Sequence, residues 1–248
     1  MTTTTALVPC LLLLVLLALL ATGASAGRWV SVPVGDLLLG FGPERGLTVD
    51  WCGQRIVEGS SVVFHDGAWK EVYLSLPGHV EDIQVSDTAD GGKQLRILSA
   101  PKEAWFEYDY TITGRPNGTV EMAFSCTRLK DIPLGVETCF VQLAEAPIVG
   151  QAYEVTGESE SRKGFVALEA TSKEIDTSTL LAHQASRMVI HSRVGDLEFA
   201  TEGGSWFSLI DGRLRFGGTP VSGWYWGGML GAAPELGKTA SYGLTLKC

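Results

Sequence analysis

The most regular pattern of hydrophobic and polar positions runs from Ala104 to Thr127. On both sides of Pro116–Gly118, apolar residues occupy every second position, and charged or hydroxyl residues lie between them. A period of two is typical of β-strands that have one face on a core and the other in water. The segment therefore predicts an antiparallel β-hairpin.

The loop of this hairpin follows from which residues must share a face. A two-residue turn at positions 117 and 118 would pair Ile112 with Ala123, which mixes the faces, whereas a three-residue loop, Pro116–Gly118, pairs Ile112 with Met122. Proline suits the first central position of a type I turn, and glycine suits the left-handed position that follows. We therefore predict the three-residue loop. Its other facing pairs are then Tyr110 with Phe124 and Tyr108 with Cys126.

Further short strand patterns follow one another along the chain, separated by glycine-rich turns such as Asp87–Gly92. Lys173–Arg187 has a hint of a helical face, but its central Thr177–Thr179 favours a loop or a short turn. Many short strands with little helix predict an all-β protein, built as a single antiparallel β-sandwich. No repeat or low-complexity linker interrupts the pattern, so residues 27–248 are expected to form one domain.

The first 26 residues differ from the rest of the chain. They contain no charged side chain, Ala6–Ala21 is apolar except at Pro9 and Cys10, and Ala24–Ala26 offers a small-x-small cleavage site. This composition is typical of a secretory signal peptide, although an uncleaved membrane anchor is the alternative for so long an apolar run. Cleavage after Ala26 predicts a secreted or periplasmic protein that no longer contacts a membrane.

The formal net charge of −9 remains with the mature chain, because the predicted signal peptide has no charged side chain. An acidic chain disfavours nucleic acid and anionic membranes as partners. The net charge therefore makes two classes of partner, nucleic acids and anionic membranes, less favourable, and it identifies no ligand.

Four cysteines would remain after cleavage: Cys52, Cys126, Cys139 and Cys248. In an exported chain an even number favours two disulfides, with three possible connectivities, and the alternative is four free thiols that are mostly buried. No C-x-x-C or Cys/His spacing indicates zinc. We therefore predict neither a metal nor a cofactor.

Aromatic residues and glycines cluster in Gly223–Gly228, which contains Trp224, Tyr225 and Trp226, and Trp206 lies upstream. On a strand the two tryptophans would share one face and Tyr225 would take the other. Indole rings offer flat platforms for sugar rings, and glycines let a ligand approach the backbone. The cluster therefore predicts a carbohydrate site, with core packing of the same rings as the alternative.

His65 is the histidine whose surroundings best suit a ligand site, because it lies beside Asp66 and near Trp69 at a turn. These residues could form the rim of a cleft. The chain has neither an H-E-x-x-H nor a G-x-S-x-G motif, so no metal-dependent or serine-nucleophile chemistry is indicated. Alternating acidic residues could supply a carboxylate pair for glycoside hydrolysis, but the same pattern describes a solvated sheet face.

Asn117 begins a glycosylation sequon, Asn117-Gly118-Thr119, and is the only asparagine in the chain. It lies in the predicted hairpin loop, where the backbone geometry of the turn already explains an Asn-Gly pair. Glycosylation at Asn117 is therefore an open expectation.

The strand patterns at 94–98, 105–112 and 118–124, together with the closing strand at 239–246, resemble the galactose mutarotase-like β-supersandwich. That fold occurs in aldose epimerases and as a domain of several glycosidases and polysaccharide lyases. The resemblance implies a carbohydrate-related sandwich, and it assigns no catalytic residue to this chain.

Three functions follow from these observations. The preferred one is a secreted, non-catalytic carbohydrate-binding or accessory protein. The second is a carbohydrate-active enzyme, a polysaccharide lyase or sugar epimerase, that uses His65 or a Glu/Tyr pair as acid and base. The third is a structural or cell-surface protein without a small ligand.

Overall fold

The computed structural model describes residues 29–66, 68, 70–99, 105–157, 161–170, 172, 179–201, 206–214, 225–232 and 234–248. Within these ranges almost all regular structure is β-strand, arranged in two antiparallel sheets of nine strands each. The predicted all-β, antiparallel sandwich is therefore confirmed.

The strands and the one short helix in this part of the chain have the following bounds. They are β1 (Val30–Val34), β2 (Leu37–Gly42), β3 (Gly46–Trp51), β4 (Gln54–His65), β5 (Val72–Leu76), β6 (Asp82–Asp87), β7 (Lys93–Leu98), β8 (Phe106–Gly114), β9 (Thr119–Arg128), β10 (Gly135–Leu143), α1 (Glu145–Ile148), β11 (Ala152–Thr156), β12 (Arg162–Phe165), β13 (Leu180–Ala185), β14 (Arg187–Ser192), β15 (Gly195–Ala200), β16 (Phe207–Asp211), β17 (Tyr225–Ala232) and β18 (Thr239–Lys247).

The order of the strands within each sheet differs from their order in the chain. Sheet A runs β1-β2-β3-β4-β10-β17-β16-β13, and β5 also pairs with β4. Sheet B runs β12-β11-β14-β15-β18-β9-β8-β7-β6. The long hairpin β8–β9 thus lies inside sheet B, and the aromatic and glycine-rich strand β17 lies inside sheet A.

The β8–β9 hairpin has the register that the sequence predicts. Ile112 faces Met122, Tyr110 faces Phe124 and Tyr108 faces Cys126. Arg115 N donates to Thr119 O over 2.8 Å, and Gly118 N donates to Arg115 O over 3.1 Å, which closes the three-residue loop. Gly118 has φ +85°, the left-handed conformation expected of it.

Aromatic rings from both sheets meet in the core. Phe64 of sheet A stacks on Phe106 of sheet B, with ring centroids 4.1 Å apart and planes 7° apart. Phe41 contacts Tyr110 edge to face at 6.2 Å, again across the two sheets. Such pairs add about 0.5–1.5 kcal/mol beyond the burial of their area.

Some elements differ from the predictions. The sequence did not indicate β2, whose residues Leu37–Gly42 lack polar alternation. The end of Lys173–Arg187 forms strand β13 and not a helix, and residues 173–178 lie outside the described residues. The predicted signal peptide, 1–26, also lies outside them.

All four cysteines of the described chain carry free thiols in the structure. Burial raises the pKa of Cys126 to about 12, and it does the same for Cys139. The two predicted disulfides are therefore not seen. In the ranges that the structure describes, no helix is long and apolar enough to cross a bilayer.

The hairpin loop gives a first prediction. Gly118→Ala should lower the free energy of unfolding by about 1–3 kcal/mol, because alanine is strained at this φ and its Cβ would lie 2.8 Å from the Cys248 carbonyl oxygen. Gly53→Ala is the matched control, since Gly53 has φ +80° with no atom within 4 Å of its Cβ position. Urea denaturation measures both, and equal losses would show that the contact with Cys248 contributes nothing.

Candidate functional site

The structure places three of the predicted site residues, His65, Tyr225 and Trp226, in sheet A. Tyr225 and Trp226 begin β17, where Trp226 pairs with Gln142 of β10 and Ile210 of β16. His65 ends β4 opposite Gly135, which also pairs with Ala232 of β17. Trp226 lies six residues before Ala232, so His65 and Trp226 are about 20 Å apart along the strand direction at ~3.4 Å per residue. Trp206 is half-buried just before β16. Trp69, Trp224 and the side chain of Trp226 lie outside the described residues.

His65 is buried, with 6% of its surface exposed. Its imidazole occupies the space above Gly135, where a Cβ would lie 2.6 Å from the histidine Nε2. Asp66 next to it accepts hydrogen bonds from Ala68 N and Lys70 N at 3.1 and 2.9 Å. The carboxylate of Asp66 is therefore already bonded to backbone N–H groups beside His65.

Asn117 is exposed at the hairpin loop, as a glycosylation site requires. Its side-chain oxygen accepts a hydrogen bond from Thr119 N over 3.2 Å. The structure thus leaves the sequon accessible, and the same asparagine also supports the turn.

Tyr225 lies in the core, with no exposed surface, beneath the guanidinium of Arg213 at 4.8 Å from its ring centroid. Burial, and next the negative charge of Asp211, raise the pKa of the Tyr225 phenol well above its ordinary value. A phenol with so high a pKa stays protonated at neutral pH. Tyr225 is therefore placed as a packing partner of Arg213 in this structure.

Arg213 is itself 2% exposed, and all five of its guanidinium N–H groups are used. Two of them donate to the carboxylate of Asp211 at 2.9 and 2.8 Å, and one donates to Glu145 of α1 at 2.9 Å. The remaining two donate to the carbonyl oxygens of Ala167 and Leu168. This buried network, the Arg213 cluster, consists of Arg213, Tyr225 and the hydrogen-bond acceptors of Arg213. It links α1 and the segment after β12 to the end of β16 through hydrogen bonds.

The outer face of sheet A, which points away from sheet B, presents a different arrangement at β1–β3. Trp29 lies directly before β1, and its indole covers Gly42, where a Cβ would be 2.5 Å from the indole Cε2. The same ring reaches Gly40, at 3.7 Å from its Cβ position. Because these glycines have no side chains, the indole can lie close against the strand, and 49% of Trp29 remains exposed.

The same outer face continues across the sheet to Gln142. Gly59 of β4 pairs with Gln142, and a Cβ on Gly59 would lie 2.7 Å from the Gln142 side-chain oxygen. Gln142 is half-buried, and its amide makes no hydrogen bond to the residues that the structure describes. An indole platform and a free amide thus share one face of sheet A.

Asp50 and Arg55 stand on this face beside Thr48. The Arg55 guanidinium donates to both carboxylate oxygens of Asp50. The hydrogen bond with Asp50, against the opposing effect of burial, raises the pKa of Arg55. Paired and partly exposed, the two side chains can both donate and accept hydrogen bonds to a hydroxyl-rich ligand.

The outer face of sheet B is charged by comparison. It holds an open concavity of about 430 Å³ whose lining includes Gln94, Thr113, Arg115 and Glu121 and no aromatic ring. Arg115 donates to both oxygens of Glu121 at 2.8 Å and to Asp90 at 2.6 Å. The concavity therefore differs from the outer face of sheet A mainly in that it offers no aromatic ring.

Among the residues that the structure describes, no group of three or more His, Cys, Asp and Glu side chains is placed to hold a metal ion. The sequence pattern did not single out Trp29 or Gln142 as site residues. The alternation Gly40-Phe41-Gly42 next to a strand-leading tryptophan was the signal for the first. No local signal pointed to Gln142, since its role depends on a glycine of another strand.

No protein-family model matches the chain, and no curated protein matches it in sequence. Solved structures do resemble it. A putative mutarotase, YeaD, from Salmonella typhimurium has a TM-score of 0.55 at 10% identity, over 91% of this chain and 91% of that one. Galactose 1-epimerase from Lactobacillus acidophilus has a TM-score of 0.51 at 9% identity, over 89% and 94%. HI1317 has a TM-score of 0.53 at 9% identity, over 89% and 92%. These likenesses show the fold, which is galactose mutarotase-like.

The Arg213 cluster gives a second prediction. Arg213→Met should lower the free energy of unfolding by about 3–5 kcal/mol, because it leaves the buried carboxylate of Asp211 without its cation. Tyr225→Phe is the matched variant in the same cluster. The Tyr225 hydroxyl is buried without a hydrogen-bond partner among the described residues, so its removal should change stability by less than about 1 kcal/mol. A large loss in Tyr225→Phe, measured by urea denaturation, would contradict this account.

The concavity of sheet B gives a third prediction. Hydrogen bonds from Thr88 and from Arg115 lower the pKa of Asp90 to about 2. A lowered carboxyl pKa stabilises the fold while the group is ionised. This contribution is therefore fully present above pH ~4, the ordinary pKa of an aspartate. It is lost as the pH falls through about 2. A carboxyl ¹³C NMR titration should show this midpoint, and Arg115→Gln should raise it; an unchanged midpoint in Arg115→Gln would refute the role of Arg115.

Proposed function

We propose that this chain, a galactose mutarotase-like β-supersandwich, is an exported carbohydrate-binding protein that holds its ligand on the outer face of sheet A. The observation that carries the proposal is the half-exposed indole of Trp29 lying on the glycines of β2. One ring face is supported by backbone, and the exposed half of the side chain remains open to a sugar ring. Apolar stacking with a few polar groups nearby is the usual composition of a small-ligand site.

The spacing of polar groups supports a ligand longer than one sugar. Three strand intervals separate β2 from β10, the strand of Gln142, which amounts to about 14 Å at ~4.8 Å per interval. Asp50 and Arg55 lie between them, on β3 and β4. A short oligosaccharide stacked on Trp29 could therefore reach the Gln142 amide.

Charge favours a neutral glycan. The net charge of −9 works against polyanionic polysaccharides, and Asp50 and Arg55 cancel each other on this face. Trp226 pairs with Gln142, which brings the backbone of the predicted Trp/Gly segment to the same part of the sheet. Export is proposed on the signal-like segment 1–26, whose cleavage would leave Trp29 near the new N-terminus.

A neutral-glycan array on the chain from Gly27 onwards, followed by calorimetry with the best ligand, tests the proposal. Trp29→Ala should weaken the Kd at least about tenfold, equivalent to ~1.4 kcal/mol, and Gln142→Ala should weaken it less. Trp224→Ala, measured in parallel, tests whether the Trp/Gly segment contributes to the site.

Phe165→Ala is the matched control, because Phe165 is an aromatic residue that is 75% exposed on β12 of sheet B. It should leave the Kd unchanged. Absence of binding to every neutral glycan, or binding that survives both Trp29→Ala and Gln142→Ala, would overturn the proposal and favour a structural protein without a small ligand.

A sugar epimerase acting at the same face is the second candidate. It is favoured by the fold that the chain shares with a galactose 1-epimerase. Polarimetry of freshly dissolved α-D-galactose separates the two functions. Acceleration of mutarotation that is lost in Trp29→Ala would support the enzyme, whereas glycan binding without acceleration would support the binding protein.

A further inference from the structure

Cys52 and Cys248 lie far apart in the chain but at the same end of the sandwich. Cys52 is exposed in the turn between β3 and β4 of sheet A and has φ +49°. Cys248 follows β18 of sheet B and is half-buried. Two independent sets of contacts join these positions.

The first set runs through the hairpin loop. Cys52 N donates to Asp36 O over 3.0 Å, and Gly35 beside it would place a Cβ 2.8 Å from the carbonyl oxygen of Pro116. Cys248 N in turn donates to Gly118 O over 3.0 Å. The loop Pro116–Gly118 therefore bonds to Cys248 and lies against Gly35, the residue before the hydrogen-bond partner of Cys52.

The second set runs through Trp51. Its indole crosses to sheet B and lies against Gly195, where a Cβ would be 2.5 Å from the indole Cη2. Gly195 begins β15, and Glu198 of that strand pairs with Lys247 of β18. Trp51 and Lys247, the residues before Cys52 and Cys248, thus both contact β15, at positions three residues apart.

The electrostatics agree with this placement. Burial raises the pKa of the Cys248 thiol to about 12, and the nearby Cys52 sulfur adds to the shift. The other two thiols have different surroundings: Cys126 faces the core from β9, and the Cys139 thiol donates to Val141 O in β10 over 3.5 Å.

We propose that Cys52 and Cys248 are a redox pair that closes into a disulfide between sheet A and sheet B when a low-molecular-weight disulfide is available. The exposed Cys52 thiolate attacks oxidised glutathione, forms a mixed disulfide and releases one glutathione. The Cys248 thiolate then attacks the sulfur of Cys52 and releases the second glutathione. Two protein thiols are oxidised and one glutathione disulfide is reduced. The two thiol protons end on the two released glutathione molecules, one on each.

The high pKa of Cys248 makes its step the slower one at neutral pH, because only the thiolate attacks. The mixed disulfide at Cys52 should therefore accumulate first. Its conversion to the internal disulfide should speed up as the pH is raised towards about 12, the pKa of Cys248.

Equilibration of the folded chain from Gly27 onwards with oxidised glutathione, followed by acid quenching, alkylation and non-reducing peptide mapping, tests the proposal. The expected result is a cross-linked pair of peptides containing Cys52 and Cys248, with a loss of about 2 Da from the intact mass. Cys248→Ser should stop at the glutathione adduct on Cys52, and Cys52→Ser should form neither product. Cys126→Ser should leave the cross-link unchanged.

Two outcomes would overturn the proposal. One is full alkylation of both cysteines after equilibration at pH values between about 7 and 9, a range that spans the ordinary pKa of a thiol. The other is a cross-link that joins a different pair. Both readouts come from the unmodified sequence, so a serine variant that fails to fold leaves the test intact.

Discussion

Aromatic packing between the sheets is the interaction on which the rest of the structure depends. Phe64 of sheet A lies flat on Phe106 of sheet B, and Tyr110 of sheet B meets Phe41 and Phe140 of sheet A. These contacts commit one face of each sheet to the core. Every second residue of the central strands must therefore be apolar. The residues between them, on the outer faces, are not under this constraint and can differ between the two sheets.

The two outer faces have diverged in composition. Sheet B carries side-chain ion pairs between neighbouring strands, such as Arg96 with Asp109 and Arg187 with Glu198, which are exposed and contribute little to stability. Sheet A has glycines in β2 and β4, and the side chains that lie over them come from residues distant in sequence, Trp29 and Gln142 among them. The outer face of sheet B thus presents charged groups, whereas that of sheet A presents an indole and an amide beside bare backbone.

The sequence predicted the features whose causes are local. The β8–β9 register followed from period two and from the chemistry of Pro116–Gly118, because both act within one hairpin. β2 was missed because Leu38 points outward although it is apolar, with 41% of its surface exposed. Arg213 could not be predicted, since its acceptors belong to α1, β16 and the segment after β12. Trp29 and Gln142 depend likewise on glycines of other strands, so the candidate site was only partly foreseen.

The position of β18 has a consequence for how the molecule can be made. β18 lies between β15 and β9, so it joins the two halves of sheet B, yet it is the last of the strands that the structure describes. A nascent chain can form the hairpins on either side, but it cannot close sheet B before Lys247 has been synthesised. Until then the edges of β15 and β9 are unpaired and open to other strands. During that interval, pairing of these edges with strands of other chains competes with the closing of sheet B.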